Sequence, residues 1–158
     1  MMQSSLPVSC DRRLVQLTGY WRTIFPREGG LPGWQHFDPL DIPALLPWVW
    51  LVDAHRGPLR FKYRLMGTEH ARLSGRDVTG RWMDEVHPDF AQLDVYSQWV
   101  AVVERAELGY RRGPPLFPLQ DEYEEMERLL LPLARNGADV DMVLAMTVHH
   151  PKPRKARS

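Results

Sequence analysis

One cysteine, Cys10, is all that 158 residues contain, so no disulfide can form within the chain, and the composition fits a reducing compartment. A charge excess is missing too. Twenty Lys and Arg balance 20 Asp and Glu, which leaves no global field to recruit nucleic acid or a membrane surface. No apolar run is long enough to span a bilayer, and the first ten residues lack both the basic start and the apolar stretch of a secretion signal. There is no phosphate-cradling glycine loop and no kinase or cyclase motif. What is left is a cytoplasmic protein of one domain, long enough to bury a core without staples, with no nucleic-acid partner and no membrane insertion.

The stretch from Arg60 to Pro88 organises the rest. Phe61, Tyr63 and Leu65 alternate with Arg60, Lys62 and Arg64, the pattern of a strand with one wet face. After Gly67 the alternation stops, and glycines divide the chain into Thr68–Ser74, Gly75–Thr79 and Gly80–Val86, each too short to be a free helix. Upstream, Leu14, Leu17, Trp21 and Ile24 form one stripe on a helix capped by Ser9 or Asp11 and ending near Phe25. The stripe packs on its own domain or makes a dimer contact, and the two are compatible. Asp41 and Pro43 open a short helix through Leu46, and Trp48 to Val52 is an apolar run expected to be covered on both faces.

Asp89 and Gln92 are spaced as a capping box for the longest helix, Phe90 to about Leu108, with Leu93, Val95, Tyr96, Trp99, Val100, Val102 and Val103 on one broad arc. Tyr110 to Leu119, interrupted by prolines, supports at most an edge strand, and the acidic run Asp121 to Glu127 reads as a solvated loop and strand start, not a metal site. Asn136-Gly137 suits a two-residue type I′ turn with Gly137 at positive φ, which would set Leu133 opposite Val140, Leu131 opposite Met142 and Leu129 opposite Leu144. Residues before Ser9 and the basic tail after His150 read as disordered. His149 and His150 point to opposite faces of a strand, which argues against zinc. Asp84, Glu85 and His87 could form an acid–base group but suit surface positions or caps better.

The run RLMGTEHARLSGRDVTGRWMDEVHPD, with Gly75, Gly80, His87, Pro88 and Asp89, resembles the strand-to-helix region of a PAS domain. The words at Tyr20-Trp21, Asp38–Pro43, Leu45–Pro47 and Leu129–Leu133 narrow the likeness to a single-domain bacterial PAS subfamily long catalogued as a domain of unknown function. The resemblance implies an α+β fold: a five-stranded antiparallel sheet with helices packed on one face and the N-terminal helix on or beside the other, spanning 11–150.

It also implies a ligand pocket, here walled by Tyr63, Leu65, Leu131, Met142 and Leu144 and roofed by Trp82, Met83, Tyr96, Trp99 and Val103; the same residues could instead fill a solid core. Haem-binding relatives use a histidine on the long helix, which this one lacks, and photochemical flavin relatives use a pocket cysteine, whereas Cys10 precedes the fold. A noncovalent flavin or another small molecule stays open, so the cofactor is unknown. The expected function is a sensor or regulatory module, without catalysis, that reports by contact with another signalling protein and forms a homodimer. A ligand-free adaptor and a small enzyme are the alternatives.

Overall fold

The computed structural model describes residues 6–115 and 122–153. Five strands, β1 (Val49–His55), β2 (Arg60–Met66), β3 (Gly109–Gly113), β4 (Tyr123–Leu133) and β5 (Met142–Pro151), form one sheet in the order β2-β1-β5-β4-β3, each pair antiparallel. The apolar run in β1 is buried from both sides, as its composition requires. Val49 and Leu51 face one hydrophobic cluster, and Trp50, Val52 and Ala54 face another. The sheet is therefore a partition between two cores.

The first core is closed by α1 (Arg12–Thr23), whose N-cap Asp11 accepts the Arg13 N–H. Leu14, Leu17 and Trp21 are buried against this chain's own strands, Ile24 is half-buried on the same cluster, and the Trp21 indole donates to the Pro132 carbonyl at 3.1 Å. Full burial of such a side chain contributes about 1.5–3 kcal/mol, so Leu14, Leu17 and Trp21 pack on their own domain and hold the monomer together. Between α1 and β1 the expected Asp41–Leu46 helix is replaced by two 3₁₀ turns. One, Pro39–Asp41, is capped by Asp38; the other is Leu46–Trp48. Pro43 and Pro47 supply no N–H for a continuous helix.

The second core lies under α2 (Thr68–Ser74), α3 (Met83–Val86) and α4 (Asp94–Arg105). Gly67 joins β2 to α2 where a Cβ would run into the carbonyl oxygens of Leu46, Pro47 and Val49. Only glycine lets the chain pass so close. The expected long helix starts late: Phe90–Gln92 is a 3₁₀ turn, Leu93 is extended, and Asp89 makes no side-chain cap. It also stops early, at left-handed Ala106, which frees Leu108 to pack into the core on the other side of the sheet.

In the β4–β5 hairpin, Leu133 pairs with Met142, Leu131 with Leu144 and Leu129 with Met146, each partner two positions beyond the expected one. The turn is wider because the Asn136 carboxamide accepts from the N–H groups of Ala138 and Asp139, which builds a longer loop. Gly137 does sit at positive φ, +83°. A shift of two preserves the face of every side chain, so the apolar set stays together.

Of the segments expected to be disordered, residues 1–5 and 154–158 lie outside the described residues; Leu6 and Cys10 pack against the α1-side core. The edge strand expected near Tyr110 is β3, and the remainder of that segment from 116 onward lies outside the described residues. Among the described residues, no helix is long and apolar enough to cross a membrane.

Candidate functional site

Between the sheet and α2–α4 lies a cavity of about 430 Å³. Its floor comes from four strands: Trp50, Tyr63 and Met66, Met126 and Arg128, Thr147 and His149. Its roof is His70 from α2, Met83 and Val86 from α3, Phe90, and Val95 and Trp99 at the start of α4. Trp50 is the hub. Its ring stacks on His70 at 4.5 Å and 8°, meets Tyr63 and Trp99 at 6.0 and 5.5 Å, and its N–H donates to the Thr147 hydroxyl at 3.1 Å.

The polar groups in this apolar space are incompletely paired. Arg128, 4% exposed, donates one Nη2–H to the Gln98 carboxamide at 2.8 Å, and its Nε has no partner. His70, 7% exposed, has an unpartnered Nδ1, and neither ring nitrogen of His149 has a partner. Burial, reinforced by His149 and Arg128, lowers the His70 pKa to about 3; burial, with His150 and Arg72, lowers that of His149 to about 4. Both imidazoles are neutral at pH 7. Burial and neighbouring Arg111 bring Arg128 down to about 9, still a cation at neutral pH. Burial pushes the Tyr63 phenol up and the His87 imidazole down.

Of the residues expected around this space, Tyr63, Met83 and Trp99 line it. Val103 is buried on the same side but packs away from the cavity, and Tyr96 stands edge-on to Phe90 at 5.3 Å outside the lining. Trp82 turns outward under the Arg60 guanidinium, 4.0 Å from its ring, while Arg60 grips Asp84 through two 2.8 Å hydrogen bonds.

Leu65 is misplaced by a bulge. Val52 pairs with Tyr63 but Leu51 pairs with Leu65, so Arg64 is the extra residue and the alternation reverses beyond it. Leu65 lands on the α1 side, 46% exposed, in an apolar groove with Trp34, Phe37 and Leu51, while Met66 takes its place in the cavity and its sulfur accepts the Val78 N–H. Leu131, Met142 and Leu144 also belong to the α1-side core. Strands β4 and β5 are buried on both faces, so the opposite set, Leu130, Val143 and Ala145, is the one turned toward the helices.

Sequence reasoning missed Trp50, Phe90, His70, Arg128 and Thr147 as lining residues. The signal for Arg128 was a charge followed by the unbroken apolar run Leu129–Leu131. The opposite orientation of the paired histidines holds: His149 lines the cavity, and His150 Nε2 lies 2.6 Å from Glu127 on the other face. Glu127, read as solvated, is 1% exposed. It accepts the Asp11 N–H and the Tyr110 hydroxyl, so it clamps the start of α1 onto β4. Asp11, Glu127 and His150 converge within 4.8 Å, but the Asp11 carboxylate is held by Arg13 and both Glu127 oxygens are taken.

A family model described as PAS domain matches residues 11–147 of the chain. No curated protein and no solved structure matches it.

Proposed function

Because the chain belongs to the PAS domain family, we propose that it is a cytoplasmic sensory module whose cavity takes a small molecule and whose occupancy is read by another protein. One observation carries this reading: a cavity of about 430 Å³ lined by buried nitrogens of His70, His149 and Arg128 that have no partner. Each unsatisfied buried group costs about 1–3 kcal/mol, a poor return in a core built only for packing. A bound molecule with polar atoms offsets that cost. Flat rings at Trp50, Phe90 and Trp99 offer it an apolar bed.

The strands supply a route outward. Consecutive residues point to opposite faces, so Arg128 and His149 meet the ligand while Glu127 holds the start of α1 and His150 contacts Glu127. A ligand that moves the first pair acts on the second through the same backbone. We propose binding without catalysis; in its support, Asp84 of the candidate group Asp84, Glu85 and His87 has both oxygens engaged by Arg60 at the surface.

The test is native mass spectrometry of protein purified without denaturant, alongside thermal shifts against a library of neutral, cationic and anionic compounds. The expected result is a mass excess that disappears on denaturation, or stabilisation by a subset of the library that Trp99→Leu abolishes. A chain that carries nothing and that no compound stabilises overturns the reading and leaves an adaptor.

A further inference from the structure

We infer that the cavity is built for a singly charged carboxylate, with the acid group on the Arg128 guanidinium beside Thr147 and His149 and an aromatic or aliphatic body among Trp50, Phe90 and Trp99. This deepens the ligand-binding reading above and rests on it.

The argument is one of charge balance. Arg128 spends one N–H on a neutral carboxamide and leaves Nε idle. Its partner across the β3–β4 ladder is Arg111, whose Nη1 also lacks a partner, so the strand pair adds positive charge at this point and no compensation. Among the described residues no carboxylate pairs with Arg128, and the acidic residue of the lining, Asp89, is exposed. A buried cation without a counter-charge is costly, and a neutral ligand would leave it so. A carboxylate supplies the charge and two oxygens that match the guanidinium fork.

The number of charges follows from the neighbours. His70 and His149 are neutral donors and acceptors, so they can hydrogen-bond an acid group but cannot balance a second charge. Arg76, the other cation of the lining, is exposed. A phosphate monoester, close to two negative charges at neutral pH, would bring more charge than the buried site can match. Thr147 sits directly opposite Arg128 in the β4–β5 register, on the same face, and gives the anion a hydroxyl. Beyond this polar floor the lining is mostly aromatic and aliphatic, which sets the chemistry of the ligand's body.

The experiment titrates the full chain by calorimetry with indole-3-acetate, 2-naphthoate, 4-phenylbutyrate and octanoate, each against its primary amide. At least one acid is expected to bind about 10-fold or more tightly than its amide, as a charge-assisted bidentate pair implies. Arg128→Met should erase that preference, lowering each acid's affinity to that of its amide or below, and should unfold no more readily than the unaltered chain, since it removes an uncompensated buried charge. The acid–amide comparison in the unaltered chain needs no variant to fold. Amides that bind as well as the acids overturn the carboxylate inference and leave the sensory reading intact. If neither series binds and the purified chain carries nothing, both fall together.

Discussion

Imidazoles whose pKa burial lowers, those of His70 and His149 most and that of His87 as well, make the stability of this protein depend on pH. His70 lies flat on Trp50 with its pKa near 3, and His149 is held near 4. In the unfolded chain each takes a proton near pH 6.5. Between about pH 6.5 and 4 the unfolded state therefore binds protons that the native state refuses, so stability is full above that window and falls as pH drops through it. The slope is about 1.4 kcal/mol per pH unit for each fully titrating group. Carboxylates whose pKa arginine lowers, among them Asp11 by Arg13, Asp84 by Arg60, Glu69 by Arg72 and Glu125 by Arg112, act below about pH 5 and do not confuse a comparison of pH 7 with pH 5. Urea midpoints should fall from pH 7 to pH 5, and His70→Gln should shrink the drop. Equal midpoints at the two values would mean that the imidazoles are solvated.

At the level of elements, the β4–β5 loop makes the sharpest demand. Gly137 has φ +83°, and its carbonyl accepts the Leu31 N–H at 2.8 Å, which ties the loop to the segment after α1. Gly137→Val should cost about 1 kcal/mol or more, because a β-branched residue is strained there, while Gly137→Asn should cost less. Chemical denaturation of the two variants decides it; a valine variant as stable as the asparagine one contradicts the geometry.

The elements also show what could be read from the residues alone. The α1 stripe, the buried β1 run and most of the α4 arc were legible because periodicity reports burial: Leu14, Leu17, Val95, Trp99, Val102 and Val103 are all inside, whereas Leu93, expected on the same arc, is extended and 42% exposed. Periodicity does not report which side of a two-sided sheet a residue faces, so Leu131, Met142 and Leu144 were assigned to the wrong core. Nor does a bulge announce itself; Arg64 looks like any outward strand residue, yet it sends Leu65 to the other face. Arg128 was passed over because a charge on a strand suggests water, and only the neighbouring strands and α4 show that water is excluded.

For the molecule as a whole, the sheet separates a core of packing from a core with a cavity, and the same two strands serve both. Glu127 and Arg128 are adjacent in sequence and face opposite compartments, as do His149 and His150. The clamp of Glu127 on the first turn of α1 thus shares its backbone with the floor of the cavity. Linkage makes any coupling between the two sides mutual: a ligand that strengthens the hold on α1 by some factor must gain the same factor in affinity from an α1 that is held. Glu127→Gln, which weakens the clamp without touching the cavity, should then loosen ligand binding, and ligand should slow amide hydrogen exchange in α1 of the unaltered chain. No change in either measurement would mean that the two compartments are insulated. If both change, a protein that bound α1 would set the concentration of ligand to which this one responds, and sensitivity would be decided by that contact as much as by the pocket.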